Sequence, residues 1–188
     1  MNPVHKLIPS EIIRTPRLWL KALNPEVMGR VYDTLTDDEL FIFFGHNTQQ
    51  DMERERDKYT RGLTTHQITY LNYLLIERET GFVIGRCGFH TWYVPHNRAE
   101  IGYHMVDETK KGKGFMKEAL AAIINHGFME LGLNRIEAFV GAANAASLRL
   151  VASFGFVREG ILREHYHIGG KHEDSLCFSL LRREYTGQ

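Results

Sequence analysis

Apolar and polar residues alternate through Arg17-Leu18-Trp19-Leu20-Lys21, the two-residue period of a half-buried strand. The alternation stops at Asn24-Pro25-Glu26, which predicts a helix start: Asn accepts from free backbone N–H groups, Pro fits the first turn, and Glu suits the positive dipole end. Thr36-x-x-Glu39 is a capping box that opens a second short helix, and Thr48 followed by Asp51 opens a third, running to about residue 62. From Thr69 the chain turns β-branched and aromatic. Strands are predicted over 69–77, 82–93 and 98–106, separated by Glu79-Thr80-Gly81 and Pro95-His96-Asn97, which is an antiparallel meander with Gly85 and Gly88 as bulge positions. Over 114–131, Met116, Leu120, Ile123, Ile124, Phe128 and Leu131 share one helical face, with Gly132 as C-terminal cap. A strand over 135–140, a helix over 144–154 capped by Asn144 and Gly155, and strands over 156–167 and 173–182 around Gly169-Gly170 complete the chain. This order predicts an α/β (α+β) fold, a mixed sheet of about seven strands with helices packed on it.

Composition narrows the class. The 188 residues suit one domain. The 23 basic and 23 acidic residues cancel, which argues against a nucleic-acid binder with a large basic surface. Hydrophobic residues at 43% and aromatic residues at 11% fit a globular chain. The longest apolar run, Ala119 to Ile124, is far short of a membrane span, and the first residues lack the apolar stretch of a signal peptide. Cys87 and Cys177 sit among apolar residues outside any C-x-x-C, the expectation being two free thiols in a cytoplasmic protein.

The segment Lys110-Lys111-Gly112-Lys113-Gly114-Phe115-Met116 leaves a strand and opens the strongest helix. Two glycines let a ligand approach the backbone, and the first-turn N–H groups face outward at the positive dipole end. Lys110, Lys111, Lys113 and Lys117 add positive charge, so the segment suits a pyrophosphate; a solvated glycine-rich turn is the alternative. It is neither a P-loop nor a dinucleotide fingerprint.

In order along the chain stand Thr15-x-Arg17-Leu18-x-Leu20, Ala99-Glu100-Ile101-Gly102-Tyr103, Gly112-Lys113-Gly114-Phe115-Met116-x-Glu118-Ala119-Leu120, Asn144-x-x-Ser147, Gly155-Phe156 and Glu159-Gly160-x-Leu162-Arg163, then Gly170, Asp174, Leu180-Leu181 and Glu184-Tyr185. This series resembles the GNAT acetyltransferases, in particular the RimJ/RimL-like branch of ribosomal-protein N-terminal acetyltransferases. The resemblance covers roughly residues 12 to 185 of a single domain spanning 1–188. It implies a GNAT fold, with a central mixed, mostly antiparallel twisted sheet flanked by helices, and acetyl-CoA as co-substrate. The pyrophosphate would lie on Lys111 to Met116, the pantetheine arm beside His104-Met105-Val106, with Asn144 reaching it from the other side. The first motif position, usually Gln or Arg, is Lys111, and the last, usually Gly or Ala, is Met116; neither removes a backbone donor.

The implied reaction is direct acetyl transfer to a primary amine in a ternary complex. An α-amine, with an ordinary pKa of about 7.7–8.0, needs only a positioned base. Glu100 is the candidate base; the alternative is a structural carboxylate paired with Arg98 or Arg135. Met105 N–H is the candidate oxyanion donor. Ser147 is the candidate donor to the leaving sulfur, its alternative being a helix cap, with Tyr166 more distant. His165, His167 and His172 lack a completing ligand, and no metal is expected. Between Asp33 and Asp57 eight acids face two arginines, a net charge of −6 that the resemblance places over the acceptor mouth; a solvated helical face is the alternative. A protein N-terminal amine is the expected acceptor, a polyamine or aminoglycoside the rival within enzymes, and a non-catalytic CoA-binding regulator the rival of another class. Homodimer formation stays open.

Overall fold

The computed structural model describes residues 2–60 and 68–187. In chain order the elements are α1 (Val4–Leu7), β1 (Ile12–Arg14), β2 (Leu18–Leu23), α2 (Pro25–Thr34), α3 (Asp37–Phe44), α4 (Gln49–Thr60), β3 (Ile68–Glu77), β4 (Val83–Tyr93), β5 (Arg98–Met105), α5 (Phe115–Met129), β6 (Arg135–Gly141), α6 (Ala145–Ser153), β7 (Val157–Ile168) and β8 (Lys171–Leu181). The end expected for the third helix, near residue 62, falls outside the described residues.

The helix starts follow their caps. Asn24 Oδ1 accepts from Val27 N–H at 2.9 Å with Pro25 in the first turn. Thr36 and Glu39 close a reciprocal capping box. Asn144 Oδ1 accepts from Ser147 N–H at 3.1 Å.

Eight strands form one mixed sheet in the order β1-β2-β3-β4-β5-β6-β8-β7, every neighbour antiparallel except β5 and β6. The strand beyond the expected seven is β1, which has three residues and lies against β2 with Ile12 opposite Lys21. Three residues are too few to show a period, so pairing rather than pattern defines it. Register shifts fall at Ile84, next to Gly85, and at His90, between Phe89 and Thr91.

Both faces of the sheet are covered over β2 to β5, while β7 is exposed along almost its whole length. On one, Leu20, Tyr73, Leu75, Phe89 and Ile101 pack against Leu120, Ile123, Ile124 and Phe128 of α5. On the other, Leu74 and Ile76 pack against Val27, Val31, Phe43 and Phe44 of α2 and α3. Each such aliphatic or aromatic side chain contributes roughly 1.5–3 kcal/mol by leaving water. Alternation along β5 sends Ala99, Ile101 and Met105 into the α5 core and leaves Glu100, Gly102 and His104 on the opposite face.

The parallel pair β5 and β6 holds together for three residues only: Arg98 opposite Arg135, Ala99 opposite Ile136 and Glu100 opposite Glu137. Past Glu100, β5 follows β4 to Met105, while β6 follows β8 to Gly141. The sheet therefore opens as a wedge with Glu100 at its apex. An ion-pair network pins the closed end. Arg98 reaches Glu137 at 2.8 Å, Arg135 reaches Glu137 at 2.7 Å, and Arg135 grips Glu159 with two bonds of 2.7 and 2.5 Å. Arg135, then the Ser179 hydroxyl, lower the pKa of Glu159 to about 2.

Candidate active site

A cleft of about 470 Å³ fills the open side of the wedge. Tyr103, His104 and Met105 of β5 form one wall, Asn144 and Ser147 of α6 the other. Lys111, Gly112, Gly114, Phe115 and Met116 close its end. Gly114 occupies the N-cap of α5 with φ of +81°, and no side chain caps the helix. A residue with a Cβ is strained in that left-handed conformation, so glycine is what lets the chain turn into α5 here. The N–H groups of the first turn are thus left for a ligand at the positive helix end. Lys111 N–H is already taken by Glu108 O at 3.2 Å, so the available donors begin at Gly112.

The lysines divide. Lys110 Nζ lies 2.6 Å from Glu77 and Lys111 Nζ 2.6 Å from Glu108, so these two charges are matched within the protein. Lys113 and Lys117 have no ion pair among the described residues. Lys113 lies outside the cleft lining, and its carbonyl accepts from Arg17 Nη1 at 3.1 Å.

A contact network beneath this turn was not foreseen from the sequence. Glu118 accepts from the Thr15 hydroxyl at 2.5 Å, Arg17 N–H at 2.9 Å and Arg17 Nε at 2.6 Å. The Arg17 guanidinium lies 4.2 Å from the Phe115 ring centroid. Partial burial pushes the Glu118 pKa up, but these donors outweigh it and hold the carboxyl below its ordinary value. Thr15, Arg17 and Glu118 therefore fasten the glycine turn to the start of β2.

Along β5 the backbone groups of successive residues face opposite edges. Val106 N–H donates to Ile84 O at 3.0 Å on the β4 side, which turns the N–H of Met105 toward the wedge. Val106 itself is not part of the cleft. It lines a second depression of about 460 Å³ with Gly45, His46, Asp51, Glu55 and Arg86. His104 borders both spaces.

Asn144 spends its carbonyl on the helix cap, which leaves its amide nitrogen for another partner. Ser147 lines the cleft close to Tyr103, whose hydroxyl is buried with no partner at hydrogen-bond geometry. Burial raises the Tyr103 pKa, and the Ser147 hydroxyl partly offsets that rise. Tyr103 was absent from the sequence-based candidates, although its place one residue after Gly102 on the predicted strand put it on the Met105 edge.

Glu100 pairs with neither Arg98 nor Arg135, because Glu137 and Glu159 claim both guanidiniums. Its Oε1 lies 3.2 Å from His90 Nε2, and its side chain is 13% exposed. The Tyr166 hydroxyl also faces Glu100; burial first, then that carboxylate, raises the Tyr166 pKa. The three hairpin histidines do not converge: His165 Nδ1 lies 3.1 Å from Ser175 Oγ, while the rings of His167 and His172 sit 4.8 Å apart across the turn. Among the described residues, the His and carboxylate cluster with metal-like spacing is Glu11, His126 and Glu130, far along α5 from the glycine turn. Cys87 is buried, which raises its pKa, and both cysteines are free.

Comparison with known proteins finds relatives over most of the chain. The family model for the acetyltransferase (GNAT) domain matches residues 17–157. The uncharacterized N-acetyltransferase p20 of Bacillus licheniformis is 35% identical over 178 residues, covering 94% of this chain and 99% of the relative. The ribosomal-protein-serine acetyltransferase of Escherichia coli is 26% identical over 160 residues, covering 84% of this chain and 88% of its own. A mutant form of the spermidine/spermine N-acetyltransferase of Vibrio cholerae superposes with a TM-score of 0.65 at 19% identity, covering 90% of this chain and 97% of its own.

Proposed function

The chain belongs to the GNAT acetyltransferase family, and on that premise we propose that it acetylates protein N-terminal α-amines with Glu100 as the base. It is an acetyl-CoA-dependent N-acetyltransferase. The open first turn of α5, the glycines at 112 and 114 and the adjoining 470 Å³ cleft fit the phosphates and arm of CoA. Gly112 to Met116 would take the pyrophosphate, Asn144 and the Met105 edge the arm.

The observation that carries the reading is the wedge apex. Glu100 is the last residue of β5 paired with β6, so its backbone stands where the two walls meet, and its side chain, outside the cleft lining, faces His90. In the proposed reaction the neutral amine attacks the thioester carbon, Met105 N–H stabilises the oxyanion, and the C–S bond breaks with its electron pair on sulfur. Ser147, with Tyr103 beside it, donates to that thiolate. Glu100 takes the proton released by nitrogen. An α-amine suits a lone carboxylate base, since much of it is already neutral near pH 7.5. The Escherichia coli relative, matched over most of both chains, is named for a ribosomal-protein serine.

A small cationic amine is the second reading. The depression beside His104 contains Asp51 and Glu55, and the Vibrio cholerae structure is of a polyamine enzyme. CoA-thiol release should be measured with N-terminal peptides, polyamines and aminoglycosides. Faster turnover of the peptides supports the proposal, and a polyamine preferred in kcat/KM overturns it.

A further inference from the structure

The base proposed above sits largely enclosed at the wedge apex, yet it must return its proton to water in every cycle. One neighbour offers a way out. His90 is the extra residue of the β4 bulge: Phe89 stands opposite Ile101 and Thr91 opposite Glu100, with nothing opposite His90. The bulge re-aims the ring across β5. Gly102 gives it room, for a Cβ there would fall 2.2 Å from His90 Cδ2 and 2.8 Å from Nε2. The ring ends with Nε2 3.2 Å from Glu100 Oε1 and Nδ1 3.2 Å from Thr91 Oγ1. The His90 side chain is 41% exposed, so one end of the pair is enclosed and the other wet.

We propose that His90 is a positioning residue that holds Glu100 and carries its proton to solvent. The proposal rests on Glu100 acting as the base. While Glu100 is ionised, the ring hydrogen sits on Nε2 and donates to its carboxylate, and Nδ1 accepts from the Thr91 hydroxyl. One proton leaves the attacking nitrogen for the Glu100 carboxylate; the exposed ring exchanges its hydrogen through water from Nε2 to Nδ1, Nε2 takes the proton from Glu100, and the imidazolium then yields its Nδ1 proton to bulk water. Both side chains return to their starting charge, and no oxidation or reduction occurs. Among the described residues, the groups facing the pair include Thr91 on β4, the Gly102 backbone on β5, the Tyr166 hydroxyl on β7 and the Cys177 thiol on β8.

The test uses His90→Gln, which keeps a polar side chain and removes the titration, and Gly102→Ala, which displaces the ring without changing it. Both should bind CoA and melt much as the parent does. Both should lose kcat/KM by about tenfold, less than the roughly 10²–10⁴-fold expected of the group that takes the proton directly. The acid limb of the pH–rate profile should flatten in both, and added imidazole should restore turnover in His90→Gln. A wild-type profile in His90→Gln, or a loss uniform in pH without imidazole rescue, overturns the proposal. Failure of the underlying reading has a separate signature, full activity in Glu100→Gln. The contact is checked without turnover by the ring 15N resonances of His90, which should move in Glu100→Gln at fixed pH; unmoved resonances also overturn it.

Discussion

The two hydroxyls at the thiolate end can be separated by what each does for the fold. Ser147 caps nothing with its own oxygen, since Asn144 accepts from Ser147 N–H, and the Tyr103 hydroxyl is buried without a well-placed partner. Neither makes a well-formed hydrogen bond in the apoprotein beyond their weak mutual contact, so the stability cost of removing either should stay within about 1 kcal/mol. A hydrogen bond to a charged group is worth about 1.5–3 kcal/mol. Ser147→Ala should thus lower kcat about 10- to 150-fold with the melting temperature kept. Tyr103→Phe should behave likewise if its phenol shares the load. Turnover unchanged in both would give the thiolate no protein donor on this wall. Gly114→Asp should abolish CoA binding, because a side chain is strained at φ of +81° and a carboxylate meets phosphate with like charge. Calorimetry finding parent affinity would remove the phosphates from this turn.

Elements with periodic or capped sequences were legible, and those defined by contact were not. The cap at Asn24, the box at Thr36 and the apolar face of α5 all stand where the pattern put them. The four-residue α1 carries no period, and its place comes from packing. The His5 ring packs at a tilt against Phe43 with ring centroids 5.0 Å apart, and Lys21 Nζ donates to Ile8 O at the end of α1. Burial, then the Lys21 charge, lower the His5 pKa from 6.5 to about 4. Folded His5 is thus neutral where the unfolded chain would take a proton. Its share of stability is complete above about pH 6.5 and is lost progressively toward pH 4, by up to about 3 kcal/mol in all. His5→Leu should remove that dependence. Thermal melts at pH 7 and pH 4.5 should show a smaller drop for the variant than for the parent; equal drops would place the acid sensitivity elsewhere.

At the scale of the molecule, the sequence carried the order of strands and helices but not which charges meet. Charges far apart in sequence are brought together by the sheet, which is why the alternative pairing of Glu100 with Arg98 or Arg135 is not the one formed, and Glu100 stands beside His90. The acidic run from Asp33 to Asp57 shows the same limit. Asp37 pairs with Arg56 at 2.5 Å and Glu55 with Arg86 at 2.8 Å, while the carboxylates of Glu39 and Asp51 accept from Thr36 and Thr48 at helix starts. Pairing lowers the field close by, but the net charge of −6 still acts at a distance. Its nearest members, Asp51 and Glu55, border the depression that touches His104, on the face of the sheet that carries Glu100. A cationic acceptor should be drawn to that side, raising encounter rate and leaving the chemical step alone. Replacing Asp37, Asp38 and Glu39 by Asn, Asn and Gln should raise KM for a polycationic amine at low salt, where the Debye length is about 30 Å, and barely at 0.15 M, where it is about 8 Å. The same substitutions keep a capping-box side chain at position 39 but break the Asp37–Arg56 ion pair, so melting temperature must be followed in parallel, and kcat should hold. A monocationic amine should respond much less, because its only charge is lost at the nitrogen that reacts. Steady-state kinetics at two salt concentrations with both amines decides the matter, and equal KM ratios in all four conditions would leave these acids as ordinary solvated surface.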